Sequence, residues 1–353
     1  MTINSSELLN QIRFKYDNNG EDEESGLGSL KQLRDGLYQN GLLIESTSTP
    51  ELSVRLDEIF RKFNISRDSV SAFIYPNTEL QATCIASGPN ECVLTFTSGL
   101  INLLEVEEFA FVAGHELGHH IFNHCRRAED TSSADYFMQQ RAQEISVDRI
   151  GLLASGDLNA SIRALMKIST GLDARYLKFD TSQFISQIKK VSTLELSRSL
   201  NSSHPSMMIR CKALLWFSLG IGKIRFPFEV SEHDVDSIDE RVQNDLIKFV
   251  DAPAKEQIEI LAKEVKMWSA VLLIMEDHKF DKTEQAKFKD LFGEDSLKKI
   301  LGFLRVHKKD TIKSALNERL KNCSNRLMEL SPQAFNDLKG SKIRELLAQF
   351  KSQ

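Results

Sequence analysis

The alternation of apolar and polar residues predicts helices at both ends of the chain, with a short β-rich stretch between them. Helical spacing starts near residues 30–39 and 50–63, after a polar, glycine-rich stretch at 18–28. Runs rich in β-branched and aromatic residues then predict three strands, over Ser71–Tyr75, Gln81–Ser87 and Glu91–Thr97. Helical spacing returns and predicts long helices over residues 107–126 and 134–154.

The predicted strands are separated by Pro76-Asn77 and by Gly88-Pro89-Asn90, which are typical turn sequences. Three short strands joined this way predict a small antiparallel sheet just before the helix over residues 107–126. The expected fold class is mainly α, formally α+β. We expect an N-terminal extension with a mobile loop and a helix over residues 1–49, a central domain over 50–222, and an all-helical domain over 223–353.

The last third of the chain shows helical spacing only. In residues 255–276, apolar side chains recur every three or four positions and predict one buried stripe. Its members are Ile258, Leu261, Val265, Trp268, Leu272 and Met275. The other predicted helices are 238–250, 282–292, 295–307, 311–330 and 333–350. This pattern predicts a helical bundle without chemistry, suited to protein contact, substrate gating or self-association.

Composition narrows the class of protein. A net charge of -5, without basic clusters interleaved with aromatic residues, argues against nucleic acid as a partner. The longest strongly apolar run, near 268–275, is far shorter than the roughly 20 residues of a membrane span. Five scattered cysteines without CxxC spacing fit a reducing compartment, and no signal peptide is recognisable, so we expect a cytoplasmic protein.

The candidate chemistry lies in His115-Glu116-Leu117-Gly118-His119, an HExxH pattern within the helix predicted over 107–126. Residues four apart lie on one helix face, so His115 and His119 can reach a single Zn²⁺ at about 2.0–2.1 Å each. Glu116 lies about 100° around the helix, where it can contact a metal-bound water without being a ligand. HExxH alone is a moderate signal, and a third ligand is needed.

Glu144 and Asp148 form a second pair with this spacing in the next predicted helix. A helix packed against the HExxH helix could bring Glu144 to the metal as the third ligand. Asp148, one turn later, could accept a hydrogen bond from the free ring nitrogen of a ligand histidine and fix its orientation. Three protein ligands leave a fourth position for water, which is typical of a catalytic zinc site.

This order of motifs resembles the gluzincin metallopeptidases of the CAAX prenyl protease, HtpX and Oma-type family. In that family the third ligand is a glutamate on a second helix, commonly within ExxAD, whereas Val147 stands here in place of the alanine. The likeness covers about residues 50–220 and implies a zincin-type metallopeptidase domain with one Zn²⁺ per chain. The transmembrane helices of prenyl proteases and HtpX are not visible here.

The resemblance implies further roles. Ser203-His204-Pro205, followed by Arg210, matches the family's HP motif and later arginine. By that likeness His204 would donate a hydrogen bond to the oxyanion, and Arg210 would form a structural ion pair. The strand before the zinc helix resembles the family's substrate strand. It comprises Cys92, Val93, Leu94, Thr95 and Phe96.

The resulting hypothesis is a zinc-dependent endopeptidase acting on an extended protein or peptide. Glu116 would take a proton from the zinc-bound water and later pass it to the leaving amine. His120 and His124 are interpreted as structural, and Cys125 as a packing residue. Two alternatives stay open: a non-catalytic peptide-binding or chaperone-like module with structural zinc, and a latent protease held shut by its helical domain or by His204. The stretch 277–284 is weakly similar to the interhelical turn of TerB-like helical domains.

Overall fold

The computed structural model describes residues 6–17, 27–86, 91–125, 132–177, 204–221, 232–247, 251–277 and 279–339. Helices dominate these residues, and four strands form one sheet, so the predicted α+β class is confirmed. The strands are β1 (Leu42–Leu43), β2 (Val70–Tyr75), β3 (Ala82–Ala86) and β4 (Cys92–Thr97). The helices up to residue 170 are α1 (Ser6–Ile12), α2 (Leu27–Asn40), α3 (Pro50–Lys62), α4 (Ser98–Leu103), α5 (Val106–Ile121), α6 (Ala134–Ser155) and α7 (Leu158–Thr170). The later helices are α8 (Met207–Gly220), α9 (Glu232–Leu246), α10 (Ala252–Ile274), α11 (Lys282–Phe292), α12 (Glu294–Val306), α13 (Lys309–Leu330) and α14 (Pro332–Asp337).

The sheet is mixed, and here the prediction of an antiparallel sheet was wrong. The strand order is β1-β2-β4-β3. The central pair β2 and β4 is parallel, with Val70 opposite Cys92 and Tyr75 opposite Thr97. The two outer strands run antiparallel to their neighbours.

The connection between β2 and β3 explains this topology, because it crosses the end of β4. Thr97 Oγ1 donates to the carbonyl of Glu79 at 2.6 Å, and the Gly99 amide donates to the carbonyl of Asn77 at 2.8 Å. These bonds hold residues 77–81 against the last residues of β4. The chain therefore enters β3 on the far side of β4 and does not return beside β2.

The contacts divide the chain into two compact units, residues 1–129 with 138–250 and residues 130–137 with 251–353. The core of the first unit contains residues of β2, β4 and the helices α3 to α8. It also includes Ile12, and Phe14 lies in an adjoining apolar cluster with residues of α6, α8 and α9. The predicted boundary at residue 222 lies outside the described residues and stays a prediction. The helix α9, which was predicted to belong to the C-terminal domain over 223–353, lies instead in the first unit, where its residues Ile238, Val242 and Leu246 pack in the cluster of Phe14.

The second unit has a core built on α10, whose predicted stripe is buried at Leu261, Val265, Trp268 and Met275. Asp281 and Glu284 form a capping box at the start of α11, which accounts for two of the three acidic residues in the stretch compared with TerB-like domains. The helix predicted over 333–350 is described as α14, and residues after 339 lie outside the described part. Among the helices that the structure describes, none has the length and apolar character needed to cross a membrane.

Candidate active site

The site forms where α5 and α6 approach each other closely, which two glycines of α5 permit. A Cβ atom on Gly114 would lie 2.2 Å from the Cβ of Ala154, and one on Gly118 would lie 3.0 Å from the Cβ of Val147. Any larger side chain at Gly114 would force the two helices apart. Because these glycines are in register with His115 and His119, the close contact brings α6 against the face that carries the HExxH pattern.

The three residues predicted as ligands come together there. Nε2 of His115 lies 3.5 Å from Oε2 of Glu144, and Nε2 of His119 lies 3.5 Å from Oε1 of the same carboxylate. One ligand atom from each of the three residues lies within 4.8 Å of the others. A tetrahedral zinc with bonds of about 2.0–2.1 Å would hold its ligand atoms about 3.4 Å apart, so the spacing fits this metal.

The chemistry of the donors fits a cation as well. Glu144 is 5% exposed, and its Oε2 has no hydrogen-bond partner within the described structure. Burial opposes ionisation of Glu144, but the charges of His115 and Arg210 and the hydrogen bond from His119 lower its pKa below the ordinary value. An ionised carboxylate oxygen that is buried without a hydrogen bond is a natural position for a metal ligand.

The surroundings of His119 also shift the pKa of its ring. Burial opposes the charged form of its ring, but Glu144 and Glu116 raise the pKa of His119 to about 9. A metal ion that binds this imidazole must therefore displace a proton near neutral pH.

Asp148 and Arg210 stand behind His115, in the arrangement predicted for Asp148. Nδ1 of His115 donates to Oδ1 of Asp148 at 3.0 Å. Arg210 donates to both oxygens of Asp148, from Nε at 2.8 Å and from Nη2 at 2.6 Å. Burial opposes ionisation of Asp148, but Arg210 and His115 lower its pKa. This bonding leaves Nε2 of His115 directed at Glu144.

A cavity of about 400 Å³ opens beside these residues. Its polar wall includes His115, Glu116, His204 and Arg210. Its apolar wall is formed by Leu100, Phe111, Val112, Leu165 and Ile168, and its rim includes residues 80–83. His204 is 61% exposed, and its Nε2 lies 3.4 Å from Oε1 of Glu144. The cavity thus places Glu116 and His204 beside the three candidate ligands.

The strand predicted to bind substrate is not at the edge of the sheet, so that prediction was wrong. Cys92, Val93, Leu94, Thr95 and Phe96 are buried, and β4 pairs with β2 on one side and β3 on the other. All six residues of β4 are buried, which is typical of a central strand. The outer strand on this side is β3, which also contributes Ala82 and Thr83 to the cavity.

Sequence reasoning missed two contacts of the site. His124 was interpreted as structural, yet its Nδ1 lies 3.3 Å from Nδ1 of His119, and its other nitrogen contacts Asp17. Cys125 lies against β3, with its Sγ 3.5 Å from the carbonyl oxygen of Cys84. The only sequence signal for the first contact was the short distance between His119 and His124 along the chain, and nothing local pointed to Asp17.

Comparison with known proteins agrees with this geometry. Residues 46–135 match the model of peptidase family M48, a segment that includes β2, β3, β4 and the HExxH helix but ends before Glu144. No curated protein and no solved structure matches the chain significantly. The family match confirms the resemblance to the gluzincins, whose M48 members use zinc. This segment, about a quarter of the chain, is similar to peptidase family M48, a family of gluzincin metallopeptidases.

Proposed function

We propose that this protein is a zinc-dependent endopeptidase in which His115, His119 and Glu144 hold one Zn²⁺. The observation that carries the proposal is the convergence of their three ligand atoms within 4.8 Å, next to Glu116 and a cavity of about 400 Å³. A closed structural zinc site has four protein ligands and needs neither a general base nor a cavity. The arrangement therefore favours catalysis over a purely structural metal.

Glu116 is the general base of the proposed reaction. When bound, the metal supplies Lewis acidity, which lowers the pKa of water and polarises a carbonyl oxygen. Glu116 lines the cavity beside His115 and is 9% exposed, so its carboxylate faces the space that substrate would enter. It would accept a proton from the attacking water and deliver that proton to the leaving amine.

The substrate would bind along β3 as an added strand. The carbonyl of Gln81 accepts a hydrogen bond from the amide of Thr97 in β4 at 3.0 Å. Since an antiparallel ladder alternates its bonding direction, the next residue, Ala82, points its N–H and C=O away from β4. Ala82 lines the cavity, so an extended peptide bonded there would pass the candidate ligands.

The apolar wall supports a preference for an apolar substrate side chain. Phe111 and Val112 from α5 and Leu165 from α7 are buried side chains that also line the cavity. A substrate side chain placed against them would lose water contact without gaining a charged partner. Leu or Phe there should be cleaved faster than Asp by about 10-fold or more, since burying a large apolar side chain is worth about 1.5–3 kcal/mol.

The first experiment replaces Glu116 by Gln. Hydrolysis of an unfolded protein substrate should fall about 10²–10⁴-fold, because the amide cannot accept the proton. Zinc content, measured by elemental analysis, should stay at one per chain. Glu107→Gln is the matched control, since Glu107 lies on the same helix and its side chain is 50% exposed. Near wild-type hydrolysis by Glu116→Gln would remove Glu116 from the mechanism.

Replacing His204 distinguishes an active enzyme from a latent one. Its position 3.4 Å from Glu144 suits a donor to the oxyanion, and it also suits a side chain that blocks the metal. If His204 is an oxyanion donor, His204→Ala should lower kcat about 10²–10³-fold with zinc content unchanged. A rise in activity would instead support latency. His120→Ala serves as control, because His120 is not among the residues that line the cavity.

A further inference from the structure

His119 makes a hydrogen bond on the side of its ring that faces away from Glu144. Its Nδ1 lies 3.3 Å from Nδ1 of His124, whereas its Nε2 is the atom directed at Glu144. The second nitrogen of His124, Nε2, lies 3.0 Å from Oδ2 of Asp17. The side chains of His124 and Asp17 are 1% and 0% exposed, so the contact between these two residues is shielded from water.

The order of partners fixes the position of each proton. The Asp17 carboxylate can only accept, so His124 donates to it from Nε2. A neutral His124 then has no proton on Nδ1, and this nitrogen accepts from Nδ1–H of His119. His119 therefore keeps its Nδ1 proton in the bond to His124, which leaves Nε2, the nitrogen directed at Glu144, as the one that can bind a metal.

Asp17 is itself held in the first unit by several hydrogen bonds. It accepts hydrogen bonds from Ser146 at 2.6 Å, from Gln139 at 3.0 Å and from Arg13 at 3.1 Å. Ser146 in turn accepts from the backbone amide of Phe14 at 3.0 Å. The donors around Asp17 therefore set the direction in which its carboxylate meets His124.

The two histidines of the HExxH pattern are thus supported in parallel ways. Asp148 bonds Nδ1 of His115 directly, and Asp17 reaches Nδ1 of His119 through His124. We propose that Asp17 and His124 are positioning residues that orient His119 for zinc, which gives the N-terminal segment a part in the metal site. This inference rests on the zinc site proposed above.

The experiment measures zinc affinity of the full-length chain by competition with a chromophoric chelator. Asp17→Asn and His124→Phe should each weaken zinc binding about 10–100-fold, as is typical for changes behind a metal ligand. The double variant Asp17→Asn/His124→Phe should bind no more weakly than His124→Phe alone, because Asp17 acts only through His124. A purely structural role of Asp17 would instead give additive losses.

Asp239→Asn is the matched control. Asp239 is 1% exposed and also holds the N-terminal segment, by accepting from the backbone amide of Lys15 at 2.7 Å and from Arg149. It does not contact His119 or His124 in the described structure. Replacing Asp239 should loosen the N-terminal segment but change zinc affinity by less than about twofold. A change of that size is within the deviation expected between mutations at independent sites.

The outcomes distinguish a failure of this inference from a failure of the proposed zinc site. Wild-type protein that binds no zinc would overturn both. Wild-type binding together with unchanged affinity in Asp17→Asn, or with additive losses, would overturn the inference alone. If Asp17→Asn does not fold, His124→Gln replaces it, because an amide oxygen can still accept from His119. His124→Gln must then bind zinc more tightly than His124→Phe, and equal affinities would contradict the proposal.

Discussion

The two compact units differ in what they bury. The first unit buries many ionisable side chains: Asp17, Glu108, His115, Glu116, Arg141, Glu144, Asp148, Arg149, Lys167 and Asp239. In the second unit, the buried polar side chains among the described residues are Ser133, Asp251, Ser269 and Ser331. The second core is otherwise apolar, with Trp268, Phe288 and Leu327 at its centre.

The buried charged residues of the first unit fix the positions of particular helices, whereas the apolar residues of the second unit fill the core. A buried charge is costly and must be paired, so each pair joins two specific points of the chain. Lys167 bonds Glu108 at 2.6 Å and ties α7 to the first turn of α5. Arg210 ties α8 to α6 through Asp148. Such pairs align the helices around the candidate ligands, whereas an apolar core accepts substitutions of similar volume.

The comparison is tested most strongly at Glu144. Glu144→Gln keeps the size of the side chain but offers the metal a neutral amide. Three ligands that share a binding free energy of about 10–16 kcal/mol contribute about 3–5 kcal/mol each, so zinc affinity should fall about 10²–10⁴-fold. Chelator competition on the full-length chain measures this loss.

A second buried glutamate of the first unit is the control for Glu144. Glu108 is 0% exposed and bonded to Lys167, and within the described structure it makes no hydrogen bond or ion pair with the candidate ligands. Glu108→Gln should destabilise the folded chain by about 3–5 kcal/mol and leave zinc affinity unchanged. Equal zinc affinity in wild type and Glu144→Gln would exclude Glu144 as a ligand.

The second unit should respond in stability alone. Phe288 is fully buried, and its ring lies 4.7 Å from that of Phe292. Phe288→Ala should destabilise this unit by about 3–5 kcal/mol through lost contacts and a cavity. Fluorescence of Trp268 in a Trp216→Phe background can follow the unfolding, since the chain has two tryptophans.

Leu291→Ala on the same helix is the control for Phe288, because Leu291 is 44% exposed and should change stability by less than about 0.5 kcal/mol. Zinc affinity should match wild type in both variants. A loss of zinc affinity in Phe288→Ala would show that the apolar core of the second unit also shapes the metal site.

The sequence predicted the buried stripe of the second unit because its signal is local. The buried stripe of α10 follows the helical period, and Leu261, Val265 and Trp268 are buried as expected. The candidate site was predictable for the same reason: the candidate ligands His115, His119 and Glu144 occur, together with Asp148, in two i, i+4 pairs. Their convergence within the described structure follows from that spacing and from the small residues between the helices.

What the sequence did not predict depends on distant parts of the chain. Asp17 and His124 are 107 residues apart and meet through the packing of the whole first unit. The place of β4 at the centre of the sheet depends on the crossing of residues 77–81, which is fixed by hydrogen bonds to Thr97 and Gly99. The three apolar residues that begin β4, Cys92-Val93-Leu94, were the one available signal, since an edge strand with a solvent face alternates apolar and polar residues.

Lowering the pH tests the comparison between the two units through a smaller effect on stability. Burial opposes ionisation of Asp17, but His124, Arg13 and Ser146 lower its pKa to about 2, against an ordinary value of 3.8. A carboxyl group whose pKa is lower in the folded state than in the unfolded state stabilises the folded state at pH values above the unfolded pKa. This contribution, about 2 kcal/mol, should be present at neutral pH and be lost as the pH falls from about 5 to about 2.

The measurement is urea unfolding of the zinc-free chain between pH 7 and pH 2, for wild type and Asp17→Asn. The difference in unfolding free energy should shrink across the acid range. In the second unit, Glu294→Gln is the control, because Glu294 forms an exposed ion pair with Lys289 that solvent screens. A difference that stays constant down to pH 2 would contradict the role given to the Asp17 charge.

The smallest expected effect lies at Ser331, a buried hydroxyl of the second unit. Its Oγ accepts from the amide of Ala334 at 3.1 Å, which caps α14, and lies 2.9 Å from the carboxylate of Asp135. Ser331→Ala removes the cap and should cost about 1 kcal/mol, whereas Ser331→Thr keeps a hydroxyl and should cost less. Urea unfolding followed at Trp268 measures both. Because neither contact reaches the metal site, zinc affinity and hydrolysis should stay at wild-type values. A loss of zinc affinity in either variant would contradict the conclusion that the core of the first unit positions the ligands whereas the core of the second unit contributes only stability.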